Sequence, residues 1–134
     1  LFVLYLVEQY GPDAITKLTQ SDKSGLENIE LVTKVPFKKT FTDWATALLL
    51  SGSGKNPKFD FKSVNLHKTY AGNHKLDGIN LANVINQYPV QASADLPNWT
   101  VTYIKLDNLS DQNINVSMKN SGNAALTTNL VKLN

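Results

Sequence analysis

The first seven residues, Leu1 to Val7, form an unbroken apolar run closed by Glu8 and Gln9. A membrane span needs about 20 apolar residues, so the run is too short to cross a bilayer. A secretory leader would carry a basic stretch before the run and a small-residue cleavage site after it, whereas Glu8, Gln9 and Tyr10 follow directly. The remaining reading is a helix apolar on every side and buried against more than one neighbour. The run therefore predicts the middle of a core helix whose start and packing partners lie upstream. The helix should end at Tyr10, because Gly11 suits the position after a helix C-terminus and Pro12 cannot continue the ladder.

Helical spacing continues to about Gly52. Pro12 and Asp13 suit the first turn of a short second helix, PDAITKLTQ. Ser24-Gly25-Leu26-Glu27 matches an S-x-x-E capping box, which predicts a third helix that stops before Pro36. Thr40-Phe41-Thr42-Asp43 reads as T-x-x-D at the start of a fourth. Behind it, Phe41, Trp44, Ala45, Leu48 and Leu49 fall on one apolar stripe, with Gly52 as the stop.

The period then changes. Ser51 to Pro57, SGSGKNP, has the composition of a linker. Beyond it, KFDFKSVNL places Phe59 and Phe61, with Val64 or Leu66, at strand spacing. In WTVTYIKL, Trp99, Val101 and Tyr103 alternate with Thr100, Thr102 and Ile104. Further short runs occur at residues 76–81, 113–118 and 126–133, separated by Asn, Asp, Ser and Gly turns. The expected architecture is α+β: a helical segment over residues 1–52, a linker at 53–57, and a small antiparallel β-sandwich of roughly five to seven strands over 58–134.

Charge and composition narrow the function classes. The net charge is +2, charged residues are dispersed at 18%, and every basic side chain is Lys. A nucleic-acid binder would cluster its cations and favour Arg, so no nucleic-acid partner is expected. With no cysteine, disulfides, thiolate zinc sites and Cys nucleophiles are excluded.

Candidate chemistry is sparse. His67 and His74 lie seven residues apart around a turn, without the H-E-x-x-H spacing of a catalytic zinc helix. SGSGK lacks phosphate-loop spacing, and no nucleophile elbow is present. Asp107-Asn108 and Asp111-Gln112-Asn113 offer oxygen ligands, but plain turn chemistry explains them better than calcium does. Glu8, near the end of an apolar helix, is expected to reach solvent. No catalytic or metal-binding residue is assigned. Trp99, Tyr103 and Tyr70, with Tyr88, form either a stacking platform for sugars or filling for a sandwich core, and core filling is the favoured reading.

One resemblance is carried by FVLYLVEQYGPDAITKL, then LENIE, then TFTDWATALLL. Together these resemble the closing segment of secreted bacterial zinc metallopeptidases of the hyicolysin-like and related gluzincin-type families. The matching residues are Tyr5, Leu6, Gln9, Tyr10 and Gly11, then Phe41, Asp43, Trp44, Ala45, Ala47 and Leu49. The resemblance implies an extracellular bacterial protein with a β-rich C-terminal region. It places the zinc ligands in an upstream catalytic region of the same polypeptide, acting on a peptide or protein substrate. The zinc would belong to that parent, with no cofactor in this chain. The matching motifs are packing motifs and carry no catalytic residue. Two other readings stay open: a free-standing extracellular module that binds a glycan or protein, and a structural domain that assembles with another chain.

Overall fold

The structure, a computed structural model, describes residues 1–75, 78–79, 81, 83–109, 115–123 and 125–133. It is mixed, with helices and a few short strands. The chain divides into two compact units, Leu1–Asn80 and Leu81–Asn134.

Four helices open the first unit: α1 (Phe2–Tyr10), α2 (Ala14–Gln20), α3 (Gly25–Thr33) and α4 (Phe37–Leu50). α1 ends as its sequence predicts. Gly11 takes φ 97°, which a side chain would strain, and its N–H bonds to the Val7 carbonyl at 2.9 Å. Ser24 stands at the N-cap of α3, but the reciprocal bonds of a capping box are not made, and Glu27 instead lies 3.9 Å from Lys23. Asn28 ties α3 to the end of α2, donating from Nδ2 to the Leu18 carbonyl at 2.8 Å. Lys34 closes α3 in the left-handed conformation, its N–H bonded to the Glu30 carbonyl.

α4 departs from expectation in two ways. It begins at Phe37, a turn earlier than the T-x-x-D pattern predicts, because the Glu30 carboxylate of α3 accepts from the Phe37 N–H at 2.6 Å. That bond satisfies an N-terminal donor which no local side chain reaches. Asp43 is therefore a mid-helix residue and not part of the first turn. In addition, burial is not confined to one stripe. Ala47 is 0% exposed, and Ala45, Thr46, Leu48 and Leu50 are also buried, so the C-terminal half of α4 is enclosed nearly all round.

The enclosing element is the stretch after Gly52. Phe61 and Leu66 are buried with Tyr5, Ala47 and Leu48 in one cluster, and Val64 and Ile79 pack against it. Fully burying side chains of this kind contributes about 1.5–3 kcal/mol each. The glycine-rich stretch at 51–57 thus marks the end of the helices while the packed unit continues beyond it. The expected strand over 58–66 is a 3-10 turn at Pro57–Phe59 followed by irregular chain. Its backbone donors are met by side chains instead of a neighbouring strand. Asn56 accepts from Lys58 N at 3.0 Å, and Ser51 Oγ accepts from the buried Leu66 N at 3.0 Å. These bonds replace a ladder. A two-residue antiparallel pair, β1 (Thr69–Tyr70) and β2 (His74–Lys75), completes the unit.

In the second unit, β3 (Asn83–Ile85) and β4 (Ile104–Leu106) pair in parallel, with Val84 opposite Lys105. The antiparallel sandwich is not formed among the described residues. Such a sandwich needs apolar residues on two facing inner surfaces. Here Val84, Val90, Leu96, Val116, Leu126 and, at 77%, Leu130 are exposed. The alternation in WTVTYIKL survives only as a trend: Val101 and Tyr103 are half-buried and Thr100 and Thr102 exposed, while ladder pairing begins at Ile104. Parts of the strand-like runs at 76–81 and 113–118 lie outside the described residues. Pairing is reinforced by Tyr88, whose hydroxyl lies 2.9 Å from the carbonyls of both Ile85 and Asp107. The Tyr88–Pro89 peptide is cis.

Candidate functional site

Of the aromatic residues singled out in the sequence, Tyr70 belongs to the first unit. Its hydroxyl accepts from Asn65 N at 2.6 Å and donates to Asn65 O at 3.2 Å, so it pins a turn. Trp99 and Tyr103 belong to the second unit. Trp99 stands at φ 56° and is 52% exposed. Tyr103 is half-buried, and burial pushes its phenol up to about 12, so it stays protonated at neutral pH.

The potential oxygen ligands and histidines resolve as follows. Asp107 is paired with Lys105 at 2.7 Å, and Asp111-Gln112-Asn113 lies outside the described residues. The His67 ring lies so close to Gly78 that a Cβ there would stand 2.5 Å from Nδ1. The His74 side chain lies outside what is described. Among the described residues no group of three or more His, Cys, Asp or Glu could hold a metal ion, so the zinc implied by the resemblance finds no fitting ligand set in them. No helix among them is long and apolar enough to cross a membrane.

The polar groups that do converge lie between α1 and α4. Asp43 is buried, and it gathers two lysines. Lys39, one helical turn earlier, reaches Asp43 Oδ2 at 2.9 Å and Oδ1 at 3.1 Å, and Lys58 reaches Oδ2 at 3.2 Å. Both lysine side chains are about half-exposed. The hydrogen bond to Asp43, with its charge, holds the Lys39 ammonium above its ordinary value of 10.5. Together with Tyr5, Tyr10, Gln9 and Val35 these residues line a cleft of about 270 Å3. Tyr5 is 1% exposed. Burial first, then the charges of Asp43 and Tyr10, push its phenol far above the usual range, so it remains a hydrogen-bond donor. Gln9 is occupied, its Nε2 donating to the Asp60 carbonyl at 3.3 Å. Sequence reading missed this cluster because the T-x-x-D pattern places Asp43 in the first turn of the helix. The signal available was the i, i+4 spacing of Lys39 and Asp43, which becomes meaningful once the helix starts at Phe37.

A second constellation anchors the same segment. Glu8 does not simply reach solvent as the sequence suggests. Its carboxylate accepts from Lys62 N at 2.7 Å, from Ser63 N at 3.0 Å and from Ser63 Oγ, while Lys62 Nζ donates to the Glu8 carbonyl at 2.6 Å. Burial pushes the Glu8 pKa up, but those hydrogen bonds and the Lys62 charge outweigh it and hold the group below its ordinary value of 4.5. Because the folded value lies below the unfolded one, the clamp's stabilisation is fully present above pH 4.5 and is lost as pH falls through the folded value. Glu8→Gln should therefore cost roughly 1 kcal/mol at neutral pH, below the usual range for charged hydrogen bonds because the site is solvated. The urea midpoints of the parent and Glu8→Gln should converge on acidification below pH 4.5. A gap that is unchanged there would mean that the carboxylate charge does not hold the turn.

No family model matches this chain, and neither a curated protein nor a solved structure matches it.

Proposed function

We propose that this chain is the non-catalytic C-terminal part of a secreted zinc-dependent peptidase, a helical scaffold that walls one side of the parent's active-site cleft and carries an accessory region behind it. The observation that carries the reading is α1. This helix fills the core through Tyr5 and Leu6, while Val3, at 57% exposure, and Leu1 at its N-cap, at 59%, leave apolar side chains in solvent. Apolar side chains exposed at the start of a helix suit burial against a further element, and an upstream catalytic region of the same polypeptide would supply one. The residues of the resemblance fit a scaffold. Tyr5, Leu6, Ala45 and Ala47 are core, and Asp43 and Tyr10 line the cleft beside it. In the parent, zinc would activate water for peptide-bond hydrolysis. This chain contributes packing, and no step of that chemistry is assigned to its residues.

The test is the coding sequence immediately upstream of the Leu1 codon. The proposal expects the same frame to encode an H-E-x-x-H helix and a later glutamate ligand. A frame without them would leave the peptidase reading without support. The alternative, an extracellular module that grips a glycan or protein, would then rest on the exposed Trp99 of the second unit.

A further inference from the structure

The cleft between α1 and α4 holds more donors than its own carboxylate uses. An ammonium group carries three donors. Lys39 spends its contacts on the two Asp43 oxygens, whereas Lys58 gives Oδ2 one contact at 3.2 Å and lies 5.0 Å over the Phe59 ring, with about half of its side chain in solvent. Beneath them lies the buried Tyr5, and no described hydrogen bond involves its hydroxyl. Two ammonium groups facing one carboxylate leave a single positive charge. A monoanion would neutralise that charge, whereas a dianion would place surplus negative charge beside buried Asp43. The volume of about 270 Å3 falls below the roughly 300–1,000 Å3 of drug-sized ligand sites, and Val35 provides an apolar wall. The occupant is therefore small, with one charged end and a short apolar or amide body.

We propose that this cleft binds a small monocarboxylate, held by the ammonium groups of Lys58 and Lys39 and by the Tyr5 hydroxyl. The chemistry is that of a free carboxylate on an acylated amino acid or at the C-terminus of a peptide. The site does not depend on the peptidase reading and would stand if that reading failed.

The experiment is a titration of the full 15N-labelled chain, followed by amide chemical shifts. N-acetylglycine should produce saturable shifts at Gln9, Lys39 and Asp43, and its neutral amide should produce none. Lys58→Met should weaken binding about tenfold or more, the scale of one lost charge-assisted hydrogen bond. Asp43 keeps Lys39 as a partner in that variant. Tyr5→Phe removes only a hydroxyl, preserves the packing, and should weaken binding severalfold. A short peptide acid that binds more tightly than N-acetylglycine would identify the peptide C-terminus as the source, and equal affinity would identify the acylated amino acid. Inorganic phosphate should bind more weakly than either. The proposal is overturned if N-acetylglycine gives no saturable shift, if the amide or phosphate binds as well, or if both variants bind as the parent does.

Discussion

Phe61→Ala should destabilise the first unit by about 3–5 kcal/mol, the usual cost of removing a buried phenylalanine. The ring is buried in the cluster formed by Tyr5, Ala47, Leu48 and Leu66, and it meets the Tyr5 ring edge-on at 6.2 Å between centroids. Small domains are stable by only about 5–15 kcal/mol, so this one change removes a large share of the total. The loss should be visible as a fall in the urea midpoint of helix circular dichroism, although Phe61 lies outside every helix. If Phe61 instead belonged to a separate strand-built domain, helix unfolding would keep its midpoint.

A second large effect is expected at Gly52, where α4 gives way to the returning segment. Gly52 takes φ 75°, and a Cβ there would stand 2.0 Å from the Asn65 amide nitrogen. Asn65 cannot simply swing aside, because its Oδ1 accepts from His67 N at 2.9 Å. The left-handed conformation costs a non-glycine residue roughly 1–2 kcal/mol, and losing the Asn65 bond adds about 0.5–1.5 kcal/mol. The reduced freedom of the unfolded chain returns about 0.4–1 kcal/mol. Gly52→Ala should therefore cost roughly 2 kcal/mol in equilibrium urea unfolding, and a neutral result would mean that the turn at 52 relaxes without disturbing Asn65.

The helices were legible because their signals are local. The Gly11-Pro12 stop and the i, i+3, i+4 spacing of α4 need no knowledge of distant residues. The features that were not legible depend on partners far along the chain. The start of α4 at Phe37 rests on the Glu30 carboxylate of another helix, so the nearer T-x-x-D pattern misled and put the start at Thr40. The 58–66 stretch alternates like a strand, yet its amides at Lys62 and Ser63 are claimed by Glu8, 54 and 55 positions earlier. Nothing in KFDFKSVNL itself distinguishes that arrangement from a ladder. In the second unit, alternation identified the half-buried Val101 and Tyr103, but alternation does not specify a partner strand, and the partner of Ile104 proved to be parallel Asn83. The aromatic candidates show the same limit. Tyr70 is committed to the Asn65 backbone, a pairing that its sequence position does not reveal.

The central structural claim, that the returning segment completes the helical core, is tested most directly by native-state hydrogen exchange at the Leu66 amide. That N–H is buried and bonded to Ser51 Oγ at 3.0 Å. It should exchange with the same opening free energy as the amides of Ala47 and Leu48 in α4, since all three are released only when the unit unfolds. Exchange of Leu66 at the rate of an exposed loop, while the α4 amides stay protected, would contradict the account.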